Sequence, residues 1–137
     1  MILIDTSLLI EVIRDKSGER AKRLLDHAGD EEIVLSRFAV LELMMGATDD
    51  ADWRKLYTYI TRKQILDASP ETWMKAARVY AELRWGGTTI RSTIDCCIAQ
   101  IALDYNCTLI HNDRDFEAIA TVRPLKHLRL DLSKASP

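Results

Sequence analysis

Five carboxylates, scattered along the chain, carry the chemistry this sequence is most able to perform. Asp5 directly follows the apolar run Ile2-Leu3-Ile4, and Asp113 and Asp115 follow Thr108-Leu109-Ile110 across a short turn. Asp95 falls in the first turn of a helix predicted to begin at Ser92, and Glu42 in the second turn of one capped by Ser36. Oxygen donors of this kind, with no histidine pair and no thiolates beside them, select magnesium or manganese rather than zinc. Gathered in one place, four or five carboxylates repel one another, and a divalent cation relieves the repulsion. Phosphoryl transfer is the reaction that uses such a site. Its metal ions hold the scissile phosphate, activate a water and stabilise the leaving oxygen, commonly as a pair roughly 3.5–4 Å apart. The chain shows no serine or cysteine nucleophile triad and no phosphate-binding glycine loop, so water is the expected nucleophile.

Each acid also has a purely structural explanation. Asp5 is placed to cap the helix after it. Ser92-Thr93-Ile94-Asp95 fits a capping box, in which a hydroxyl and an acid three residues on satisfy two backbone amides. Glu42 lies between Phe38-Ala39-Val40-Leu41 and Leu43-Met44-Met45, so its helix is expected to be largely buried. A buried carboxylate is costly unless it is paired or metal-bound, and an ion pair with Arg37 or Arg91 is the alternative. Ala39 and Gly46 share its stripe and leave space beside it. His111-Asn112-Asp113-Arg114-Asp115-Phe116 is rich in turn formers, so its acids also fit an ordinary surface turn. His111 reads as structural, or at most an RNA contact.

The elements that must gather these acids alternate in type. Strands are predicted at Ile2–Ile4, 33–35, 65–66, 108–110 and 128–130. Helices are predicted at 8–14, from Ser17-Gly18 through Ala28, from Ser36 to Gly46, at 52–62, from Ser69-Pro70-Glu71 to Trp85, from Ser92 to Tyr105 and at 113–120. Leu24, Leu25, Trp53, Leu56, Tyr57 and Ile60 are apolar positions at helical spacing, and Ile94, Ile98, Ile101, Ala102 and Tyr105 are expected to be buried. Strands alternating with helices give an α/β fold with a parallel sheet covered on both faces. Sites in such sheets form beyond the carboxyl ends of the strands, where these acids fall.

Bulk properties narrow the class. The 137 residues suit one domain, with 47% hydrophobic and 29% charged residues as in ordinary soluble proteins. No apolar run reaches the roughly 18 residues of a membrane span. The N-terminus lacks the basic region and cleavage site of a secretory signal, so a cytoplasmic location is expected. Cys96, Cys97 and Cys107 are odd in number, form no CxxC pair and sit among apolar residues, which argues against disulfides and a zinc knuckle. The net charge of −2 lacks the basic surplus usual in nucleic-acid binders, so any contact with a nucleic-acid phosphodiester must come from local patches. Arg14, Lys16, Arg84 and Arg91 lie near loops that border the expected site, although a solvated surface charge explains each singly.

Met1-Ile2-Leu3-Ile4-Asp5-Thr6-Ser7, the helical Glu42, Arg91-Ser92-Thr93-Ile94-Asp95-Cys96 and His111-Asn112-Asp113-Arg114-Asp115-Phe116 together resemble a PIN-domain protein, most of all the VapC-type toxins of bacterial toxin–antitoxin pairs. The likeness covers nearly the whole chain as one nuclease domain, residues 1–137. It implies a three-layer α/β/α fold around a mainly parallel sheet of four to five strands, and a magnesium-dependent endoribonuclease, with transfer RNA the first candidate substrate and messenger and ribosomal RNA left open. It maps the first three acids to Asp5, Glu42 and Asp95. The fourth falls on Asp113 or Asp115, with Asp113 slightly ahead and Asp115 acting through water. Thr6 and Thr93 resemble hydroxyl positions that orient neighbouring acids. The likeness further implies a VapB-like antitoxin docked in an apolar groove near Leu8, Leu9 and Val12, and a homodimer using the Trp73–Trp85 helix. Two other functions stay open on the residues alone. One is a PIN-like module that binds protein or RNA and cuts nothing, against which the complete acid set argues. The other is an aspartyl phosphotransferase, which would want an acid where Ser7 stands.

Overall fold

The computed structural model describes residues 1–134. In chain order the elements are β1 (Ile2–Ile4), α1 (Thr6–Arg14), α2 (Glu19–Ala28), β2 (Ile33–Ser36), α3 (Arg37–Met45) and α4 (Asp50–Thr61). They continue with β3 (Ile65–Leu66), α5 (Pro70–Trp85), α6 (Thr93–Asp104), β4 (Thr108–His111), α7 (Arg114–Ala120) and β5 (His127–Arg129). All pairings are parallel, in the order β3-β2-β1-β4-β5. The fully apolar strands follow from this layering, because each side of the sheet has its own core. Leu3, Val34 and Leu109 pack with α5 and α6, whereas Ile2, Ile4, Leu35 and Ile110 pack with α1 to α4. Side chains alternate faces along a strand, so a strand covered on both sides favours apolar residues throughout, and the buried polar ones, Ser36 and His111, stand at strand ends with hydrogen-bond partners.

Local chemistry fixes where the helices start. Ser36 accepts the Ala39 amide at the head of α3. Ser69 and Thr72 form a reciprocal capping box at the head of α5, with Pro70 in the first turn. The Thr72 hydroxyl also donates to Asp104 at 2.7 Å, tying the start of α5 to the end of α6. Gly87, at φ 93, turns the chain out of α5 in a conformation that favours glycine.

Several expectations about burial are corrected. α3 is not a buried helix: Leu41 is 63% and Met45 75% exposed. Leu25, Trp53, Tyr57, Ile94 and Tyr105 are exposed as well. Each of these helices lies on one outer layer and offers only one side to the sheet, so apolar residues beyond that side face outward. Leu8 and Leu9 err the other way. Both are fully buried beneath α1 and can line no groove, whereas Val12 remains half-buried at a groove formed with α2 and α4. α1 begins at Thr6 rather than Leu8, because Asp5 ends the strand and itself occupies the N-cap position.

Candidate active site

The strand order reverses between β1 and β4. The chain leaves β1 to build β2 and β3 on one side, then returns to add β4 and β5 on the other. The two connections diverge there and leave a crevice at the carboxyl edge. Asp5 stands at that crevice, and its amide donates to the Ile110 carbonyl at 2.9 Å, which clamps the end of β1 to the end of β4. From β4 the chain enters the loop that supplies two more acids. Asp113 caps α7 by accepting the Asp115 amide at 2.9 Å, and Asp115 is buried in the first turn. α6 brings Asp95 from the opposite side. One carboxylate oxygen each of Asp95, Asp113 and Asp115 lie within 4.8 Å of one another.

Asp5 and Glu42 complete the cluster through their charge. The Asp95 carboxyl is pushed up to about 7, first by burial and then by Asp5, Asp113, Asp115 and Glu42. Burial raises Asp5, opposed by the Ser7 hydroxyl and the Thr6 amide, and Asp113 raises it further. Glu42 is raised by burial and then by Asp5. Five acids from four separate segments thus share one field. Arg91 is the cation that meets it. Its guanidinium lies 3.2 Å from Asp113 and 3.5 Å from Asp115, and its amide donates to Asp115 at 3.3 Å.

The structural explanations of the acids divide. Asp5 sits at an N-cap position, but its side chain makes no capping bond, and neither does that of Ser92. The capping box expected at Ser92–Asp95 does not form, which leaves Asp95 unexplained by helix capping. Glu42 has no ion pair among the described residues, because Arg37 pairs with Asp67 at 2.8 Å and Arg91 with the loop acids. For Asp113 the turn explanation holds together with the cluster, since it is a cap. The expected hydroxyls also shift. Ser7, not Thr6, donates to Asp5, at 2.6 Å. Thr6 Oγ1 is buried with no partner among the described residues, and Thr93 is exposed. A hydroxyl two residues beyond an acid was the available signal for Ser7.

His111 is wholly buried beside this loop. Its Nδ1 accepts the Asp113 amide at 3.1 Å, so the proton sits on Nε2 and is directed at His127 Nδ1, 3.0 Å away. The ring packs against Phe116, and burial with the neighbouring His127 pushes it down to about 4. His127 belongs to β5, so the edge strand holds the acid loop through this pair. Among the basic residues, Arg14 is engaged away from the acids, with both terminal nitrogens 2.9 Å from Asp52. Lys16 is exposed. Arg84 lies 5.8 Å from the Tyr80 ring and has no carboxylate partner among the described residues.

The donor set fits a divalent cation. Among the described residues, three carboxylate oxygens converge, one largely exposed arginine answers their repulsion, and neither a thiolate nor an imidazole belongs to the cluster. Fold and site together define a PIN-domain protein, and the PIN-domain family model matches residues 2–122. The chain is also 31% identical over 136 residues to a VapC ribonuclease of Mycobacterium bovis and to ribonuclease VapC11 of Mycobacterium tuberculosis, each alignment covering 92% of this chain and 96% of the relative. It belongs, within the PIN domains, to the VapC ribonuclease family. The fold is shared with the crystal structure of VapBC2 from Rickettsia felis bound to a promoter DNA fragment, at a TM-score of 0.78, 24% identity and coverage of 96% of this chain and 100% of that one. Among the described residues, no helix is long and apolar enough to cross a membrane.

Proposed function

We propose that this chain is a magnesium-dependent endoribonuclease, with manganese as a substitute, acting in the cytoplasm as the toxin of a toxin–antitoxin pair. The convergence of Asp95, Asp113 and Asp115 within 4.8 Å carries the reading, because a fold keeps like charges so close only where something positive relieves them. Asp5, Glu42, Asp95 and Asp113 would hold the ion, with Asp115, whose carboxylate converges with those of Asp95 and Asp113, acting beside them through water. A divalent cation bound there supplies Lewis-acid activation of water and of the scissile phosphate. Ser7 orients the Asp5 carboxylate, the Arg91 guanidinium reaches toward the phosphate backbone, and the His111 ring fixes the amide of Asp113. RNA, transfer RNA first, is the substrate class.

The partner is a VapB-like antitoxin. The groove lined by Val12, Ile13, Leu56 and Tyr59 is rimmed by Lys55, Arg62 and Lys63, which suits an apolar segment carrying acidic residues. The exposed Met74 and Trp85 of α5 supply apolar surface for a homodimer. The deciding experiment is cleavage of a transfer-RNA pool by the purified chain in magnesium. Asp95→Asn is expected to lower the rate at least about a hundredfold with an unchanged circular-dichroism spectrum, as when other electrostatic groups at a reacting centre are removed. Undiminished cleavage by folded Asp95→Asn protein would reject the assignment, and cleavage by neither protein would favour a binding module.

A further inference from the structure

A second concavity, of about 390 Å³, opens between α5 and α6 and is lined by Trp73, Ala77, Tyr80, Arg84, Thr93 and Cys96. Alanine, threonine and cysteine side chains line it together with two aromatic rings, Trp73 and Tyr80. Phe38 meets Trp73 edge to face at 5.6 Å, which holds the indole in place. The cleft and the acid cluster share the first turn of α6, because Thr93 and Cys96 flank Asp95 in sequence. Thr93 and Cys96 stand within two residues of Asp95 on the same helix, so the cleft opens beside the turn that carries this acid. Arg84 lines this opening and has no carboxylate partner among the described residues, whereas Arg78 on the same helix is paired with Glu82.

We propose that the cleft between α5 and α6 is a nucleobase subsite, in which one unpaired base next to the scissile phosphate stacks on Trp73 and Tyr80 while Arg84 meets the backbone. The proposal rests on the ribonuclease reading and specifies its substrate as single-stranded RNA. Aromatic side chains beside a cation are the recurring means of holding unpaired bases, since every base presents a π-face. Continuity with the acids favours a base over a second copy of the chain. Met74 and Trp85, the most exposed apolar residues of α5, are not among those that line the cleft.

The test is a mutant cycle between protein and RNA. A single-stranded oligoribonucleotide with one cleavage position is compared with versions carrying an abasic residue on either side of the cut. For the unsubstituted chain in magnesium, one abasic version is expected to raise KM about tenfold, a typical size for the loss of one stacked base. Trp73→Ala, and Ala77→Leu as a filling variant at an exposed position, are expected to raise KM similarly for intact RNA and to add nothing for that abasic RNA. Equal effects on intact and abasic RNA would overturn the proposal. So would conversion of a dimer to a monomer by Ala77→Leu in light scattering with both RNAs equally affected, which makes the cleft a subunit contact. Cleavage of intact RNA by the unsubstituted chain upholds the ribonuclease reading whichever way the cycle falls. If nothing is cut, that reading fails, and the emission of Trp73 in a Trp53→Phe, Trp85→Phe chain still decides the cleft. Quenching by intact but not abasic RNA supports the subsite, and equal or absent quenching rejects it.

Discussion

Two polar groups a few residues apart at the carboxyl edge of the sheet are built on opposite terms. Among the acids, like charges are pressed together, and among the described residues Arg91 is the cation paired with them. In the imidazole pair each ring nitrogen of His111 has a partner, and burial keeps that ring neutral. The first arrangement costs the folded state free energy and the second secures it. Their adjacency shows how a site can tolerate repulsion: the loop bearing Asp113 is held from behind by a satisfied pair. The acids can then wait for a cation without spreading apart.

The largest effect is expected from removing the satisfied side. His111→Ala should lower unfolding free energy by about 3 kcal/mol in urea titrations, through the cavity and the unpaired Asp113 amide. A loss no greater than that of an exposed histidine such as His27 would end the contrast. Next in size is relief of the acids. Magnesium at a hundred times its dissociation constant should stabilise the chain by about 2.7 kcal/mol, read as a rise in Tm, with most of the gain missing in Asp95→Asn.

The two groups should also pull stability in opposite directions as pH changes, provided metal is removed. Asp95 holds its proton more tightly folded than unfolded, so its contribution is full below about pH 4 and is lost as pH rises through about 7. His111 resists protonation when folded, so its contribution is full above the ordinary 6.5 and is lost as pH falls toward about 4. Melting profiles of the metal-free chain against pH should therefore lose part of their decline toward pH 7 in Asp95→Asn while keeping the acid-side decline. Parallel profiles for the two proteins would refute the assignment. The smallest effect concerns Thr6, whose hydroxyl has no partner. Thr6→Val should leave stability within about 1 kcal/mol or raise it, and cleavage kinetics of the same variant show whether the hydroxyl serves the loaded site.

Much of this was legible in the sequence. Apolar triplets such as Ile2-Leu3-Ile4 announced strands covered on both faces, and an acid after each of two such strands announced the edge at which they meet. Legibility stopped where rotation about a helix axis or pairing across the sheet decided the outcome. A helix apolar nearly all round, such as α3, does not say which side meets the sheet, so Leu41 and Met45 could not be placed outside beforehand. Leu8 and Leu9 were misjudged for the same reason. His111 and His127 are 16 residues apart and meet only because β4 and β5 are neighbours in register, a fact carried by topology rather than by any local pattern.

The three thiols of this chain are sealed in, two of them on α6 directly after Asp95 and one at the start of β4. Cys96 borders the cleft but is only 1% exposed, and burial pushes its thiol up to about 12, so an alkylating reagent meets almost no exposed sulfur and no thiolate while the helix lies on the sheet. The rate at which Cys96 and Cys97 take up label therefore counts how often α6 lifts away, and Cys107 counts openings at the far end of the sheet. The molecule carries its own clocks, one set beside the acids and one at a distance from them.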